Sequence, residues 1–135
     1  MKRQLAALLT VLMLLSLCVT VSATDIVMPY EVDRTLGGFI IDSSGIAQID
    51  YGCIGDSTTE SIRVTVKLEK RTLLLFWKDV ETWTVNVNGT SVSDYLTYQL
   101  TDGGTYRCTI TYEVTSSDGT VETDEYQAKA EYNPA

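Results

Sequence analysis

The chain has 135 residues, with 18 acidic against 10 basic side chains, a formal net charge of −8 and no histidine. That length allows one compact domain with one core beyond a leader. The charge disfavours nucleic acid, and the missing imidazole removes histidine-based triads and histidine-ligated metal sites.

Met1-Lys2-Arg3 precedes an apolar run over 5–21, and Val21-Ser22-Ala23 places small or β-branched residues where a signal peptidase reads. The pattern predicts a secretory signal peptide over 1–23, cleaved after Ala23, and a secreted product without a stable membrane anchor. Thr10, Ser16 and Thr20 interrupt the run and polar sequence follows it, which argues against a retained transmembrane helix. Leu17 precedes Cys18 where a lipidation site expects a small residue. Cleavage also removes Lys2 and Arg3, so the mature chain is more acidic than the whole.

A loose segment is expected over 24–34. Beyond it the chain is rich in Thr, Val, Ile and Tyr, with period-2 alternation and no long helical periodicity. The pattern predicts about seven antiparallel strands, an all-β sandwich over 35–132.

The first strand falls at 35–41, and Ser43-Ser44-Gly45 turns the chain. The second, 46–54, carries Ala47, Ile49, Tyr51 and Cys53 on one face. The third, 61–70, points Ile62, Val64, Val66 and Leu68 inward and Arg63, Thr65, Lys67 and Glu69 outward. The fourth, 77–87, has Trp83, Val85 and Val87 in phase. Val80 is out of phase, which predicts a bulge within 79–81. Asn88-Gly89 reads as a two-residue hairpin turn of type I′, and outweighs the glycosylation sequon Asn88-Gly89-Thr90. The fifth strand is 92–100, and the sixth, 105–115, aligns Tyr106, Cys108, Ile110, Tyr112 and Val114. Asp118-Gly119 turns into the seventh, 121–132, which aligns Tyr126, Ala128, Ala130 and Tyr132.

Two cysteines lie beyond the leader, and an even count in an exported chain reads as a disulfide. Cys53 and Cys108 both fall on apolar strand faces, as a bond between facing sheets requires. Two buried free thiols are the other reading. Asp102-Gly103-Gly104-Thr105-Tyr106-Arg107-Cys108 places a tyrosine two residues before the second cysteine, the spacing of a tyrosine corner, with Tyr106 bonding back toward Asp102.

In these strands the chain resembles the immunoglobulin-like superfold. Antibody-type domains carry a tryptophan on the third strand, where this chain has Val64 and Val66, so the resemblance is to a generic immunoglobulin-like or fibronectin-III-like sandwich. A second resemblance runs through Ser44-Gly45-Ile46-Ala47, Ile62 to Lys70, Trp77-Lys78-Asp79-Val80-Glu81-Thr82-Trp83 and Gly104-Thr105-Tyr106-Arg107. It is to the small exported proteins of unknown function of Gram-positive, especially clostridial, bacteria. It implies export and a sandwich and no catalytic residue.

No cysteine cluster could hold zinc or iron, and no glycine-rich phosphate loop precedes a helix. The sequence therefore predicts no catalytic residue, no metal and no cofactor. Asp50 with Asp56, or Glu122, Asp124 and Glu125, could be weighed as calcium ligands, but no liganding pattern accompanies them. They read as solvated faces and loops.

The segment Lys70-Arg71-Thr72-Leu73-Leu74-Leu75-Phe76-Trp77-Lys78 concentrates basic residues in an acidic chain, and its apolar run does not alternate. It is either an exposed tip flanked by positive charge, touching a membrane or a partner, or a strand end packed under the sandwich. The leading functional expectation is a secreted, non-enzymatic binding or structural module, with a cell-surface protein or glycan as partner. A membrane-active, bacteriocin-like effector acting through Leu73, Leu74, Leu75, Phe76 and Trp77 is the alternative. A small carboxylate-based hydrolase ranks third.

Overall fold

The computed structural model describes residues 32–135, with side chains from Thr35 onward. The expected signal peptide over 1–23 lies outside the described residues. The chain forms seven strands: β1 (Val32–Ile41), β2 (Ile46–Gly55), β3 (Thr59–Thr72), β4 (Phe76–Asn88), β5 (Ser91–Gln99), β6 (Gly104–Ser116) and β7 (Val121–Tyr132). One sheet has the order β1-β2-β5 and the other β4-β3-β6-β7, and every pairing is antiparallel.

Strand β1 begins at Val32, three residues before the expected start at 35. Val32 and Arg34 pair with Gly55 and Ile54, so β2 supplies backbone partners that propensity does not reveal. The expected bulge is present. Leu68 pairs with Glu81 and Glu69 with Asp79, which leaves Val80 without a partner and turns its side chain to the core side.

One turn is corrected. Asn88-Gly89 does not close a hairpin, because β4 and β5 belong to different sheets. A type I′ turn needs positive φ at both central residues, and only Gly89 has it. The segment is an arch between layers. The Gly89 amide donates to the Glu60 carbonyl (2.9 Å) and the Gly55 amide to the Thr90 carbonyl (2.8 Å).

The core lies between the sheets. Ala47, Ile49, Tyr51 and Cys53 of β2 meet Ile62, Val64, Val66 and Leu68 of β3 and Tyr106, Cys108, Ile110, Tyr112 and Val114 of β6. These are the alternating apolar positions of the central strands, and each aliphatic side chain contributes about 1.5–3 kcal/mol through burial. The edge strands β4, β5 and β7 are only half-buried on the same face.

The two lateral edges differ. On one, Thr35 of β1 donates a hydrogen bond to Asp124 of β7 (2.5 Å), and Tyr126 fills the space above Gly37. On the other, Trp83 of β4 meets Tyr98 of β5 edge to face, with ring centroids 5.9 Å apart. Through the middle, Tyr112 of β6 sends its hydroxyl across the core. It accepts from the Gly52 amide (3.1 Å) and donates to the Leu36 carbonyl, two residues that face each other across the β1–β2 ladder. A buried hydroxyl thus satisfies backbone groups of the opposite sheet.

Candidate functional site

The site is the β3–β4 hairpin tip. β3 leaves its β6 partner after Lys70↔Tyr106, while its pairing with β4 continues through Arg71↔Trp77 and Thr72↔Phe76. The last two pairs of the hairpin, about 7 Å of strand, are therefore free of β6, which itself continues to Gly104, and the turn stands beyond the last pairs of the sheet. Leu73, Leu74, Leu75 and Phe76 at its end are 86%, 82%, 81% and 64% exposed. Exposure decides between the two readings of this run: it is a tip and packs under nothing.

Two features of this tip oppose local stability. Leu73 (φ 48°) and Leu74 (φ 68°) are the only non-glycine residues with positive φ among the described residues. The left-handed conformation costs a bulky L-residue about 1–2 kcal/mol, and glycine or asparagine would adopt it readily. The turn is held by the Leu75 amide donating to the Leu73 carbonyl (2.9 Å). Lys70 and Lys78 are register partners, and like charges directly opposite each other destabilise a ladder. Two local rules are thus broken at one exposed place.

Cations surround the tip on both faces of the hairpin. Lys70 and Lys78 lie on the core-side face, and the Lys70 ammonium is 6.0 Å from the Tyr106 ring centroid. Arg71 and Trp77 lie on the outer face. The Trp77 ring reaches across β3 to the Arg107 guanidinium of β6 (4.2 Å) and the Lys129 ammonium of β7 (5.4 Å). Lys67, Lys70, Arg71, Lys78, Arg107 and Lys129 thus gather at one end of one sheet, leaving only Arg34 and Arg63 elsewhere beyond Ala23.

Two nearby carboxylates are already engaged. Glu69, 6% exposed, accepts from Arg107 Nε (3.1 Å) and a terminal nitrogen (2.9 Å), and Asp79 lies 3.2 Å from Lys67. None of Lys70, Arg71, Lys78 and Lys129 has an ion pair among the described residues. Asp102 shares a shallow cleft beside the tip with Lys70, Lys78, Asp79 and Tyr106.

The Tyr106 hydroxyl donates to the Asp102 carbonyl at 2.5 Å and ties the β5–β6 arch to β6. Burial, then the Asp102 charge, holds its phenol pKa above the usual value. Cys53 and Cys108 face the core from opposite sheets, and both are buried free thiols, where the sequence led to a disulfide. Burial pushes the Cys53 thiol up to about 11 and the Cys108 thiol up to about 12. Neither is a poised nucleophile at neutral pH.

Acid–base groups elsewhere serve turns. Asp42, Asp56 and Asp118 accept hydrogen bonds from Ser44, Thr58 and Ser116, and those bonds lower their pKa values, Asp118 to about 2. A general acid needs the opposite shift. No group of three or more metal-ligating side chains occurs among the described residues, and two of the acidic positions weighed for calcium accept hydrogen bonds from neighbours. Asp50 accepts from Gln48 and Asp124 from Thr35.

The sequence singled out the tip by its non-alternating run, and Arg107 and Lys129 were missed as members. They arrive from β6 and β7, and only the sheet order β4-β3-β6-β7 brings them over Trp77. No protein-family model matches the chain, and no curated protein or solved structure matches it either.

Proposed function

We propose that the chain is an exported, non-enzymatic binding module of the immunoglobulin-like or fibronectin-III-like kind, and that it docks onto an envelope component through the β3–β4 tip. The exposed, strained leucine tip carries this reading. Four large apolar side chains held out in water, two of them in a conformation leucine avoids, cost stability that a binding partner would repay.

Other features support the reading. The three-plus-four strand order, the two inward cysteines and the Tyr106–Asp102 bond accord with such modules. The leader pattern over 1–23 supports export, and cleavage after Ala23 would give a product beginning at Thr24. In an oxidising compartment Cys53 and Cys108 would close into a disulfide, which mass spectrometry of the exported chain reads as the loss of two hydrogens.

The test is retention on the envelope. The exported chain is expected to remain with the envelope fraction of its producing cells, and Leu74→Ser with Phe76→Ser to release it with unchanged melting. Equal retention of both forms overturns docking through the tip. Turnover of a glycan or peptide by the purified chain overturns the non-enzymatic assignment.

A further inference from the structure

The tip also indicates what kind of surface it meets. This step rests on the docking reading above and narrows it to one partner chemistry. We infer that the β3–β4 tip inserts into the headgroup layer of a bilayer containing anionic phospholipid. Leu73, Leu74, Leu75 and Phe76 enter the acyl boundary, and Lys70, Arg71, Lys78 and Lys129 meet lipid phosphates.

Shape is the first argument. The apolar residues form an exposed turn beyond the last pairs of the sheet, so a rigid partner would need a matching hole. A bilayer is fluid and closes around any protrusion of suitable depth. Interfacial segments bury their apolar faces by about 5–10 Å, and the part of the hairpin free of β6, two pairs and the turn, is of that length.

Chemical order along the hairpin is the second. Outermost come Leu73, Leu74, Leu75 and Phe76, then Trp77, then cations on both faces. This is the sequence of environments met on crossing from acyl chains through the interface to the phosphates. Tryptophan prefers the intermediate level, and lysine and arginine prefer the outer one. The Lys70–Lys78 juxtaposition, unfavourable alone, becomes favourable when phosphates lie between and around the two ammonium groups.

Charge is the third. The exported chain, without Lys2 and Arg3, carries 18 acidic against 8 basic side chains, which an anionic surface repels. Screening at physiological salt confines each charge to about 8 Å, so the groups at the contact decide the outcome. There Glu69 and Asp79 are neutralised by Arg107 and Lys67, and four cations without ion pairs outnumber the one further carboxylate that shares the cleft beside the tip, Asp102. The acidic remainder orients the molecule, since only the tip end is attracted.

The experiment is co-sedimentation of the exported chain with vesicles of phosphatidylglycerol and phosphatidylcholine, against vesicles of phosphatidylcholine alone. Binding is expected on the mixed vesicles and to be weaker by about tenfold or more on the neutral ones. Leu74→Ser with Phe76→Ser should weaken it by about tenfold or more with unchanged melting. Lys70→Ser, Arg71→Ser and Lys78→Ser together should erase the difference between compositions. In a Trp83→Phe background, Trp77 emission should shift to the blue on binding. Absence of sedimentation with mixed vesicles, binding indifferent to the serine tip, or binding without anionic preference each overturns the inference. If the vesicles capture nothing while envelope retention still depends on the tip, the lipid assignment falls and docking stands. If retention is also indifferent to the tip, both fall.

Discussion

The Tyr126 ring occupies the space that a side chain at Gly37 would need: a Cβ there would stand 2.3 Å from the ring. This contact closes the β1–β7 edge of the sandwich, together with the Thr35–Asp124 hydrogen bond. Gly37→Ala should therefore force the ring or β1 outward and destabilise the fold by about 1–3 kcal/mol in denaturant melts. Gly38→Ala, where a Cβ meets Asp50 Oδ2 at 3.2 Å, should cost less because that carboxylate is exposed and can move. Equal effects at the two glycines would refute the closure.

Tyr112→Phe removes the hydroxyl that joins the Gly52 amide to the Leu36 carbonyl and leaves both without that partner. The expected loss is about 1–3 kcal/mol, the cost of unsatisfied buried polar groups. Hydrogen exchange at Gly52 should quicken more than at the β3–β6 ladder. An unchanged melt would mean that the ladder reseals without the hydroxyl.

Alkaline unfolding should come early. In the reduced, folded chain burial raises Tyr112 to about 12, Cys108 to about 12 and Cys53 to about 11, against ordinary values of 10 and 9. Each is neutral when protonated, and the folded state holds its proton more tightly than the unfolded chain. Stability from these groups is therefore complete below about pH 9 and is lost as pH rises toward 12. Tyr112→Phe should flatten the upper part of that loss in a series of melts against pH.

Leu73→Asn with Leu74→Gly should stabilise the fold, by about 1 kcal/mol, because both replacements enter the left-handed region cheaply. The same change should release the chain from the envelope. A purely structural tip would show the gain in stability without the loss of docking, and chemical denaturation beside the retention assay separates the two.

The reduced, folded chain should resist thiol reagents at neutral pH, since Cys53 and Cys108 are buried with raised pKa values. Both should react once the chain is unfolded. Oxidation to a disulfide closes a loop of about 56 residues and should stabilise by about 4 kcal/mol in the chain-entropy model. Prompt labelling of the native reduced protein would contradict the packing around either thiol.

The seven strands and their inward faces were legible in the residues because alternation has a period of two and burial has a side. Ile62, Val64, Val66 and Leu68 could face only one way, and Val80 declared its bulge by falling out of phase. The turns were less legible. Asn88-Gly89 looks like a hairpin and is an arch between layers, while residues 73–75 turn a true hairpin with no residue suited to it. Local turn chemistry describes what a segment prefers, and strand pairing over the whole domain overrides it.

By itself the amino-acid order determined an all-β chain, its core stripe, its lack of imidazole chemistry and an apolar run beside excess positive charge. Tertiary structure decided which strands share a sheet, hence that Arg107 and Lys129 join Trp77, that Tyr112 bridges Leu36 and Gly52, and that the leucines stand in water. The physical reason is that periodicity encodes a face within one strand. Contacts between strands far apart in the chain depend on pairing that no single segment contains.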